Sequence, residues 1–279
     1  MSLFAPRPAG ILAAILVLIL CAALMLLAVT ACGSTTDTTA GATSATGATA
    51  ALTTTVTVVA PTTDAGQTAD EAAVTFGTDD GVTLSGHLFG SGSSGVILTH
   101  MYPADQTSWR EMAKRLAGEG YLVLTFDFRG YGESGGDKEI DKIARDVTAA
   151  VNFVREEGTS EVVLAGASMG GTACLVAGEQ AQNLSSIRLA GIAALSAPVE
   201  FRGLSAAAAV PKIVVPLLFI SAEDDEGAAG AQQLQQLAAG KGDLHILPGG
   251  DHGTALLGGD QADEVYRLLS DFIRTSLGT

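Results

Sequence analysis

From residue 74 onward, the hydrophobic positions follow two patterns that alternate along the chain. Short, continuous apolar runs have the length of buried strands, and the stretches between them carry apolar residues at every third or fourth position, as amphipathic helices do. The runs predict strands at 74–76, 82–89, 96–99, 121–126, 162–165, 189–195, 214–220 and 244–247. Helices are predicted around 112–116, over 140–154, over 172–177, over 228–239 and around 261–276. Strands that alternate with helices indicate an α/β fold whose mostly parallel sheet, of about eight strands, is covered on both faces.

The amino-terminal residues have a different pattern, which is typical of an export signal. Arg7 precedes an apolar run over 11–29. The run ends in Val29-Thr30-Ala31-Cys32, which resembles the lipobox of bacterial lipoproteins. The resemblance implies cleavage of a signal peptide over 1–31, a lipid on Cys32, and retention at the outer face of the cytoplasmic membrane or in the cell envelope. An uncleaved membrane anchor is the alternative, and it would place the rest of the chain on the same side.

The segment that follows the signal, residues 32–70, consists mainly of Thr, Ala, Gly and Ser. It offers almost nothing large to bury, so burial cannot offset the entropy that ordering would cost. We therefore expect a disordered tether here. The remaining length, 71–279, suits one domain with a single core.

Charge and cysteine content narrow the range of partners. The chain carries 30 acidic and 15 basic residues, a formal net charge of −15, which argues against binding of nucleic acid and against attraction to anionic lipid. With Cys32 lipidated, Cys174 has no partner for a disulfide within the chain and is expected to be a small buried residue. No metal-ligand spacing and no glycine-rich nucleotide motif is present in the sequence, so we expect no cofactor.

The strand that begins at Val162 ends in Gly166-Ala167-Ser168-Met169-Gly170, and a helix is predicted to follow at once. In such a strand–turn–helix unit, glycines allow the tight backbone and the central serine protrudes. The first backbone N–H groups of the helix have no intrahelical partner and point at whatever the serine attacks. We predict that Ser168 is a nucleophile; an ordinary turn between a strand and a helix is the alternative.

Ligands of parallel α/β sheets bind beyond the carboxyl ends of the strands, and the loop after the strand 96–99 lies at such an end. Its first residue, His100, is expected to brace the loop through hydrogen bonds to the backbone. Acyl transfer needs two N–H donors for the developing oxyanion. We expect one donor from Met169 and the other from Tyr102, with Met101 as second choice.

The loop after the strand 214–220 supplies a candidate acid. Four acidic residues stand in a row at 223–226. One of them could accept a hydrogen bond from the Nδ1–H group of an imidazole, and a solvated turn is the alternative. Asp224 is the first choice, ahead of Asp225 and Glu223.

A candidate general base follows the strand 244–247. His252 stands within Gly249-Gly250-Asp251-His252-Gly253, where glycines allow the backbone to approach another loop closely. A plain surface histidine is the alternative. His87 lies in the early hairpin and His245 lies inside a strand, so neither is placed at a strand end.

The order Ser168, Asp224, His252 along the chain is the order of the α/β-hydrolase superfamily, and residues 74–277 resemble this superfamily over nearly the entire predicted domain. The resemblance implies an α/β-hydrolase fold with Ser168 as nucleophile, His252 as base and Asp224 as the acid that orients the base. It further implies a carboxylic ester hydrolase that works through an acyl-enzyme.

A second motif supports the same resemblance. Residues 126–134, Phe-Asp-Phe-Arg-Gly-Tyr-Gly-Glu-Ser, resemble the D-x-R-G-x-G-x-S turn that many members carry. Asp127 and Arg129 are expected to tie this turn down rather than to take part in chemistry. The chain departs from the pattern at the oxyanion loop, where members often have His-Gly and this chain has His100-Met101.

Only residues 196–212 lie where many superfamily members insert a long helical lid, and this length is enough for one short helix. We therefore expect an open site that suits small or flexible esters or the exposed ends of polymers. We also expect the protein to be a monomer. A thioesterase or a peptidase with the same three residues is an alternative, because the fold does not choose among them. A non-catalytic surface binding protein on the same fold is another.

Overall fold

The computed structural model describes residues 71–279. The predicted signal peptide, the lipidation site Cys32 and the predicted tether lie outside the described residues. Among the helices of the described range, none has both the length and the apolar character needed to cross a membrane.

The described residues alternate between strands and helices, as the hydrophobic pattern predicts. The strands are β1 (Glu71–Gly77), β2 (Thr83–Phe89), β3 (Ser94–Thr99), β4 (Leu122–Phe126), β5 (Glu161–Ala167), β6 (Arg188–Leu195), β7 (Glu200–Phe201), β8 (Leu204–Ser205), β9 (Leu217–Ala222) and β10 (Gly242–Leu247). The α-helices are α1 (Arg110–Gly118), α2 (Ile143–Glu156), α3 (Met169–Ala181), α4 (Ala206–Ala209), α5 (Gly227–Leu237) and α6 (Ala262–Leu277). Short 3-10 helices cover Gln106–Trp109, Ile140–Lys142, Val210–Lys212 and Gly253–Leu257.

One large sheet organises the domain, with the strand order β1-β2-β4-β3-β5-β6-β9-β10. β2 is antiparallel to both β1 and β4, and every other pair of neighbours is parallel. The predicted hairpin at the start of the domain and the mostly parallel sheet of eight strands are therefore confirmed. The architecture is that of the α/β-hydrolase fold.

Two apolar cores lie on opposite faces of this sheet. Helices α2, α3 and α5 cover one face, and α1 and α6 cover the other. Alternate residues of β5 enter the two cores, with Val162 and Leu164 on the first side and Val163 and Ala165 on the second. Because both faces of β5 are buried, its sequence is a continuous apolar run. The strand that carries the serine motif is thus held firmly at the centre of the sheet.

The short connection between β6 and β9 differs from the single helix that the sequence suggests. It contains a small antiparallel hairpin, β7–β8, before the four-residue helix α4. The hairpin turns at Arg202 and Gly203, which both have positive φ angles, of 44° and 98°. Gly203 adopts this conformation without steric cost and so permits a tight turn within a segment that is otherwise rich in helix-forming alanine.

Asp127 ties the turn after β4 to the rest of the domain, as predicted. Its Oδ1 accepts a hydrogen bond from the backbone N–H of Gln106 at 2.9 Å, and its Oδ2 accepts one from the backbone N–H of Glu133 at 3.1 Å. The side chain of Gln106 adds a further hydrogen bond to Oδ2 at 3.1 Å. This buried carboxylate thus joins the turn after β4 to the 3-10 helix that contains Gln106.

Arg129 forms a second buried anchor, which we call the Arg129 cluster: Arg129, Asp146 and Asp80. The side chains of Arg129 and Asp146 are completely buried. Arg129 donates from Nε to Asp146 Oδ1 at 2.8 Å and from Nη1 to Asp80 Oδ2 at 2.8 Å. The hydrogen bond from Arg129 holds the pKa of Asp80 far below its ordinary value, with a smaller contribution from the hydroxyl of Thr78. The cluster joins the turn after β4 to α2 and to the β1–β2 hairpin, so the predicted structural role of Arg129 is confirmed.

Candidate functional site

The serine motif forms a sharp turn between β5 and α3. Ser168 has φ 48° and ψ −117°, a conformation that L-residues with a side chain rarely adopt. Its backbone N–H donates to the carbonyl oxygen of Leu195 at 2.7 Å, which fixes the turn against the end of β6. A strained residue that is held in place by its surroundings is typical of functional sites.

The two motif glycines are required by close approaches of the backbone. A Cβ on Gly166 would lie 2.5 Å from the carbonyl carbon of Gly170, and a Cβ on Gly170 would lie 2.6 Å from the carbonyl oxygens of Thr99 and His100. Larger residues would push α3 away from β5 and from the loop after β3. The glycines therefore allow the helix to begin directly beside the strand ends, where its first N–H groups are oriented towards the site.

His252 lies in the loop after β10, and its ring contacts a buried carboxylate. Its Nδ1 is 2.7 Å from Oδ1 of Asp225. The carboxylate side chain is only 2% exposed, whereas the imidazole is 31% exposed. Because an ionised carboxylate only accepts hydrogen bonds, Nδ1 must carry the proton, which leaves Nε2 of a neutral ring as an acceptor.

This geometry corrects the choice of Asp224 as the orienting acid. Asp224 is exposed, and its backbone N–H bonds to the carbonyl of Gly249 at 3.0 Å. The chain turns after β9, with the N–H of Asp225 bonded back to the carbonyl of Ala222 at 3.2 Å. The turn directs Asp225 into the protein and leaves its neighbours, Asp224 and Glu223, in solvent.

Several donors hold the carboxylate of Asp225 in its ionised form. Burial acts to raise its pKa, but hydrogen bonds from Ser196, His252 and the backbone N–H of Gly227 outweigh burial, so the pKa lies below its ordinary value. Ser221 Oγ donates to Oδ2 at 3.0 Å. The carboxylate is therefore prepared to stabilise a positive charge on the imidazole of His252.

Ser196 is a site residue that the sequence analysis did not identify. It follows β6 directly, is completely buried, and has a positive φ of 49°. Its Oγ accepts from the backbone N–H of Gly253 at 3.0 Å and also hydrogen-bonds to Asp225. One hydroxyl thus connects the acid to the loop that carries His252. Its position at the carboxyl end of a parallel strand was the available signal.

The loop of His252 packs against the serine turn. A Cβ on Gly253 would lie 3.5 Å from Cβ of Ala167, the residue before Ser168, and 2.7 Å from Sδ of Met101. The hydrogen bonds within 71–279 do not include one between Ser168 Oγ and the ring of His252. In unliganded enzymes such bonds are often long and tighten only when substrate binds.

The expected oxyanion donors lie on either side of the turn. Met169 is the first residue of α3, and the side chain of Ser168 does not cap this helix. Across the turn, the loop after β3 begins with His100, Met101 and Tyr102, and the side chain of Tyr102 is 41% exposed. Within the described range, the backbone N–H groups of Met169, Met101 and Tyr102 donate no hydrogen bond to the protein. These three N–H groups are thus without a protein acceptor in the described residues.

His100 braces its loop, as predicted. Its Nε2 accepts from the backbone N–H of Phe128 at 3.0 Å, so its Nδ1 carries the proton and donates to the carbonyl of Met101 at 2.9 Å. Burial lowers the pKa of His100 and keeps the ring neutral. The other two histidines lie elsewhere: His87 contacts Gln106 from β2, and His245 lies within β10.

Other candidate chemistry is limited. Within residues 71–279, no group of three or more His, Cys, Asp or Glu side chains is arranged to hold a metal ion. Cys174 is completely buried in α3 beside the hydroxyl of Thr99, and burial raises the pKa of its thiol to about 12. A thiol with such a pKa is inert as a nucleophile at neutral pH.

Comparison with protein families gives one match within the chain. The profile of a family described as "Serine aminopeptidase, S33" matches residues 94–203. This range begins at β3 and ends in the β7–β8 hairpin, so it includes Ser168 and the loop of His100 but neither Asp225 nor His252.

Among characterised proteins, the chain is similar to bifunctional epoxide hydrolase 2 of Sus scrofa, with 38% identity over 93 residues. The match covers 33% of this chain and 17% of the pig protein, so the chain spans less than a fifth of that relative's length. The activity of the whole pig protein therefore does not transfer to this chain.

Solved structures show the fold. An esterase of Pyrococcus furiosus, Pf2001, superposes with a TM-score of 0.65 at 21% identity, and the superposition covers 78% of this chain and 97% of the esterase. The enol-lactonase of Burkholderia xenovorans LB400 superposes with a TM-score of 0.59 at 17% identity, over 71% of this chain and 99% of the lactonase. At these identities the likeness concerns the fold alone.

Proposed function

We propose that this chain, whose fold is that of the α/β hydrolases, is a serine hydrolase that acts on carboxylic esters. Ser168 is the nucleophile, His252 the general base, and Asp225 the acid that orients the base. The observation that carries the proposal is the 2.7 Å hydrogen bond between His252 Nδ1 and the buried carboxylate of Asp225, in a loop that packs against the strained turn of Ser168. Nucleophile, base and orienting group are the three parts that covalent acyl transfer needs.

In the first step, Ser168 Oγ attacks the carbonyl carbon of the ester while His252 Nε2 takes the hydroxyl proton. The imidazolium that forms is stabilised by Asp225, whose lowered pKa keeps it ionised. The oxyanion accepts hydrogen bonds from the N–H groups of Met169 and of Tyr102 or Met101, each of which is worth about 3 kcal/mol in the transition state.

In the second half of the reaction, His252 returns the proton to the departing alcohol as the carbon–oxygen bond of the ester breaks. Water then attacks the acyl-enzyme with the same imidazole as base, and release of the carboxylic acid restores Ser168. Each proton that the imidazole takes is given back within the cycle, so the mechanism needs no cofactor.

The ester substrate is supported by the names of the structural neighbours, an esterase and an enol-lactonase, since a lactone is a cyclic ester. The short connection between β6 and β9 leaves no long helical lid within the described residues, which suits small or flexible esters. Peptide bond hydrolysis is the second candidate because of the description of the family profile that covers 94–203. The same three residues would serve it.

The test is hydrolysis of p-nitrophenyl esters of increasing acyl length by the full-length protein, beside p-nitroanilides of the same acyl groups and of amino acids. We expect turnover of short-chain esters, little turnover of the amides, and loss of activity in Ser168→Ala and His252→Ala. Faster turnover of aminoacyl anilides would favour a peptidase. A well-folded protein with no turnover of any ester or amide would contradict the proposal and favour a tethered binding protein.

We also propose that the chain is exported and anchored by a lipid on Cys32, because Val29-Thr30-Ala31-Cys32 follows the apolar run of 11–29. Metabolic labelling with an alkyne fatty acid tests this in a bacterial host that processes lipoproteins. Label should enter the wild type and should be absent from Cys32→Ala. The control is Cys21→Ala, which removes a cysteine within the apolar run and should be labelled like the wild type. Equal labelling of all three proteins would contradict the proposal.

A further inference from the structure

A wall of aromatic rings adjoins the serine turn. We call Tyr102, Tyr131 and Phe201 the aromatic wall: the ring centroids of Tyr102 and Tyr131 are 6.4 Å apart, as are those of Tyr102 and Phe201. The hydroxyl of Tyr131 donates to Sδ of Met169 at 3.9 Å. Since Met169 directly follows Ser168 and Tyr102 belongs to the loop after β3, the wall lies next to the two segments that carry the expected oxyanion donors.

Two cations lie over this wall. The guanidinium carbon of Arg202 is 4.6 Å from the centroid of the Tyr102 ring and 5.5 Å from that of Phe201. On the other ring of the wall, Nζ of Lys138 is 4.3 Å from the centroid of Tyr131. Aromatic faces attract cations, so both charges are held against the aromatic wall.

Neither cation has a carboxylate partner within residues 71–279. Most Lys and Arg side chains of this range form ion pairs, and Arg115 and Lys241 are the other two that do not. Arg129, Arg188 and Arg267 all form ion pairs. The absence of a protein partner leaves the donors of Arg202 free to bind an anion from solution.

The position of Arg202 is set by the hairpin turn. It stands at φ 44°, where the turn from β7 to β8 requires a left-handed residue, although side chains disfavour this region. A Cβ on the next residue, Gly203, would lie 2.9 Å from Cβ of Asp141, so the tip of the hairpin is packed against the segment before α2. Asp141 makes this contact without forming an ion pair with Arg202. Packing of the hairpin tip thus holds Arg202 in a strained backbone conformation, with its guanidinium group over the aromatic wall.

We propose that Arg202, assisted by Lys138, binds a carboxylate group of the substrate, so that the preferred substrates are esters that carry a second, ionised carboxyl group. This inference rests on the proposed ester hydrolysis. A guanidinium over an aromatic ring keeps its N–H donors in its own plane, where they can bind a carboxylate through two hydrogen bonds.

The charge distribution around the site would orient such a substrate. On the side of His252, Glu223, Asp224 and Glu226 are exposed and would repel an anionic group. On the side of the aromatic wall, Arg202 and Lys138 attract it. Glu200 and Asp137, which are exposed and close to them in sequence, weaken this attraction. An anionic ester therefore enters with its carboxylate towards Arg202, and its scissile carbonyl is left for Ser168.

The test compares matched esters that differ in charge, using the full-length protein. One pair is p-nitrophenyl hexanoate and the p-nitrophenyl half-ester of adipic acid, which have the same chain length and end in a methyl group or a carboxylate. A second pair, phenyl hexanoate and 4-carboxyphenyl hexanoate, places the charge on the alcohol part. Rates are measured for the wild type, Arg202→Gln, Arg202→Lys, Lys138→Gln and a control, Arg155→Gln, which removes a positive charge from the last turn of α2.

We expect Arg202→Gln to lower kcat/KM for the anionic member of at least one pair about 10-fold, mainly through a higher KM, because a hydrogen bond to a charged group is lost. The neutral member should change by less than about 2-fold, as should both members in Arg155→Gln. Arg202→Lys should retain part of the effect, and added salt should reduce the preference for the anion.

Two results would overturn the inference while the proposed function stands: hydrolysis of neutral esters with no effect of Arg202→Gln on the anionic members, or an equal loss for charged and neutral members. Hydrolysis of no ester, together with a Ser168 that does not react with a fluorophosphonate, would instead remove the proposed function and the inference with it.

Discussion

Asp146 and Asp225 are both buried carboxylates that accept several hydrogen bonds, but their partners differ. Asp146 is bound by Arg129, a cation that is itself completely buried. Asp225 is bound by His252, whose ring is 31% exposed and whose loop packs against Ser168. The Arg129 cluster therefore has no access to solvent at its centre, whereas the Asp225–His252 pair opens to it on one side.

The difference between the two pairs follows from the chemistry of their cations. Arginine keeps its charge at any ordinary pH, so a closed pair of Arg129 and Asp146 acts as a permanent tie between two segments of the chain. An imidazole can gain and lose a proton near neutral pH, so the open pair of His252 and Asp225 can take part in proton transfer. The same type of contact thus serves stability in one region and, in the proposed function, proton transfer in the other.

The sharpest way to test this contrast is to remove the charge of Asp225. In Asp225→Asn the amide can hold the ring of His252 in the wrong tautomer, so kcat for ester hydrolysis should fall about 10,000-fold while the protein stays folded. Steady-state kinetics and thermal unfolding of the same preparation measure the two effects. Asp224→Asn is the matched control, and its rate should remain within about 2-fold of the wild type. A larger loss in Asp224→Asn than in Asp225→Asn would reverse our assignment of the acid.

The converse substitution, Arg129→Met, should affect stability rather than chemistry. It leaves Asp146 buried without its cation, which we expect to lower the free energy of unfolding by about 3–5 kcal/mol. Urea unfolding measures this loss, and titration of active sites gives kcat for the fraction that remains folded. That kcat should be close to the wild-type value. A variant of normal stability with a strongly reduced kcat would mean that the Arg129 cluster belongs to the active site.

Ser196→Ala sharpens the account of the open pair. The loss of its hydroxyl removes both a donor to Asp225 and the acceptor of the Gly253 N–H group, so we expect kcat to fall about 10-fold with little change in KM. Ser221→Ala removes only a donor to the carboxylate and should have a smaller effect on kcat. An equal effect of the two substitutions would show that the hydrogen bond between Ser196 and the N–H group of Gly253 does not contribute to kcat.

The smallest expected effect concerns acid stability. The pKa of Asp80 is lower in the folded protein than in the unfolded chain, where it is about 3.9. The unfolded chain therefore binds more protons at Asp80 in acid, and the stability that the ionised carboxylate contributes is lost as the pH falls from about 3.9 towards the pKa of the folded protein. The free energy of unfolding should therefore fall less steeply with decreasing pH in Asp80→Asn than in the wild type. Parallel pH profiles for the two proteins would contradict this role of Asp80.

The fold was readable from the sequence for physical reasons, and two of the three residues of the proposed site were chosen from it on similar grounds. Short apolar runs with turn residues on both sides, such as that of β5, are typical of strands covered on both faces, and the glycines around Ser168 indicate a turn with close backbone contacts. The glycines around His252 and the order of the motifs placed this histidine at a strand end.

The acid could not be chosen in the same way, because adjacent acidic residues differ only in the direction in which a turn points them. The N–H of Asp225 bonds back to Ala222 in a turn that leaves Asp225 buried and Asp224 exposed, and the sequence does not encode the direction of this turn. Ser196 was missed because a serine after a strand gives no sign of its two contacts. The β7–β8 hairpin was missed because the positive φ of Arg202 is set by tertiary packing rather than by local propensity.

The most direct test of the central claim is labelling of the full-length protein with a fluorophosphonate, followed by mass spectrometry of its peptides. In the wild type we expect modification at Ser168. Asp224→Asn should be labelled at the wild-type rate, Asp225→Asn and His252→Ala far more slowly, and Ser168→Ala not at all. No labelling of the folded wild type, or labelling that is as fast without Asp225 and His252 as with them, would contradict the claim that this pair activates Ser168.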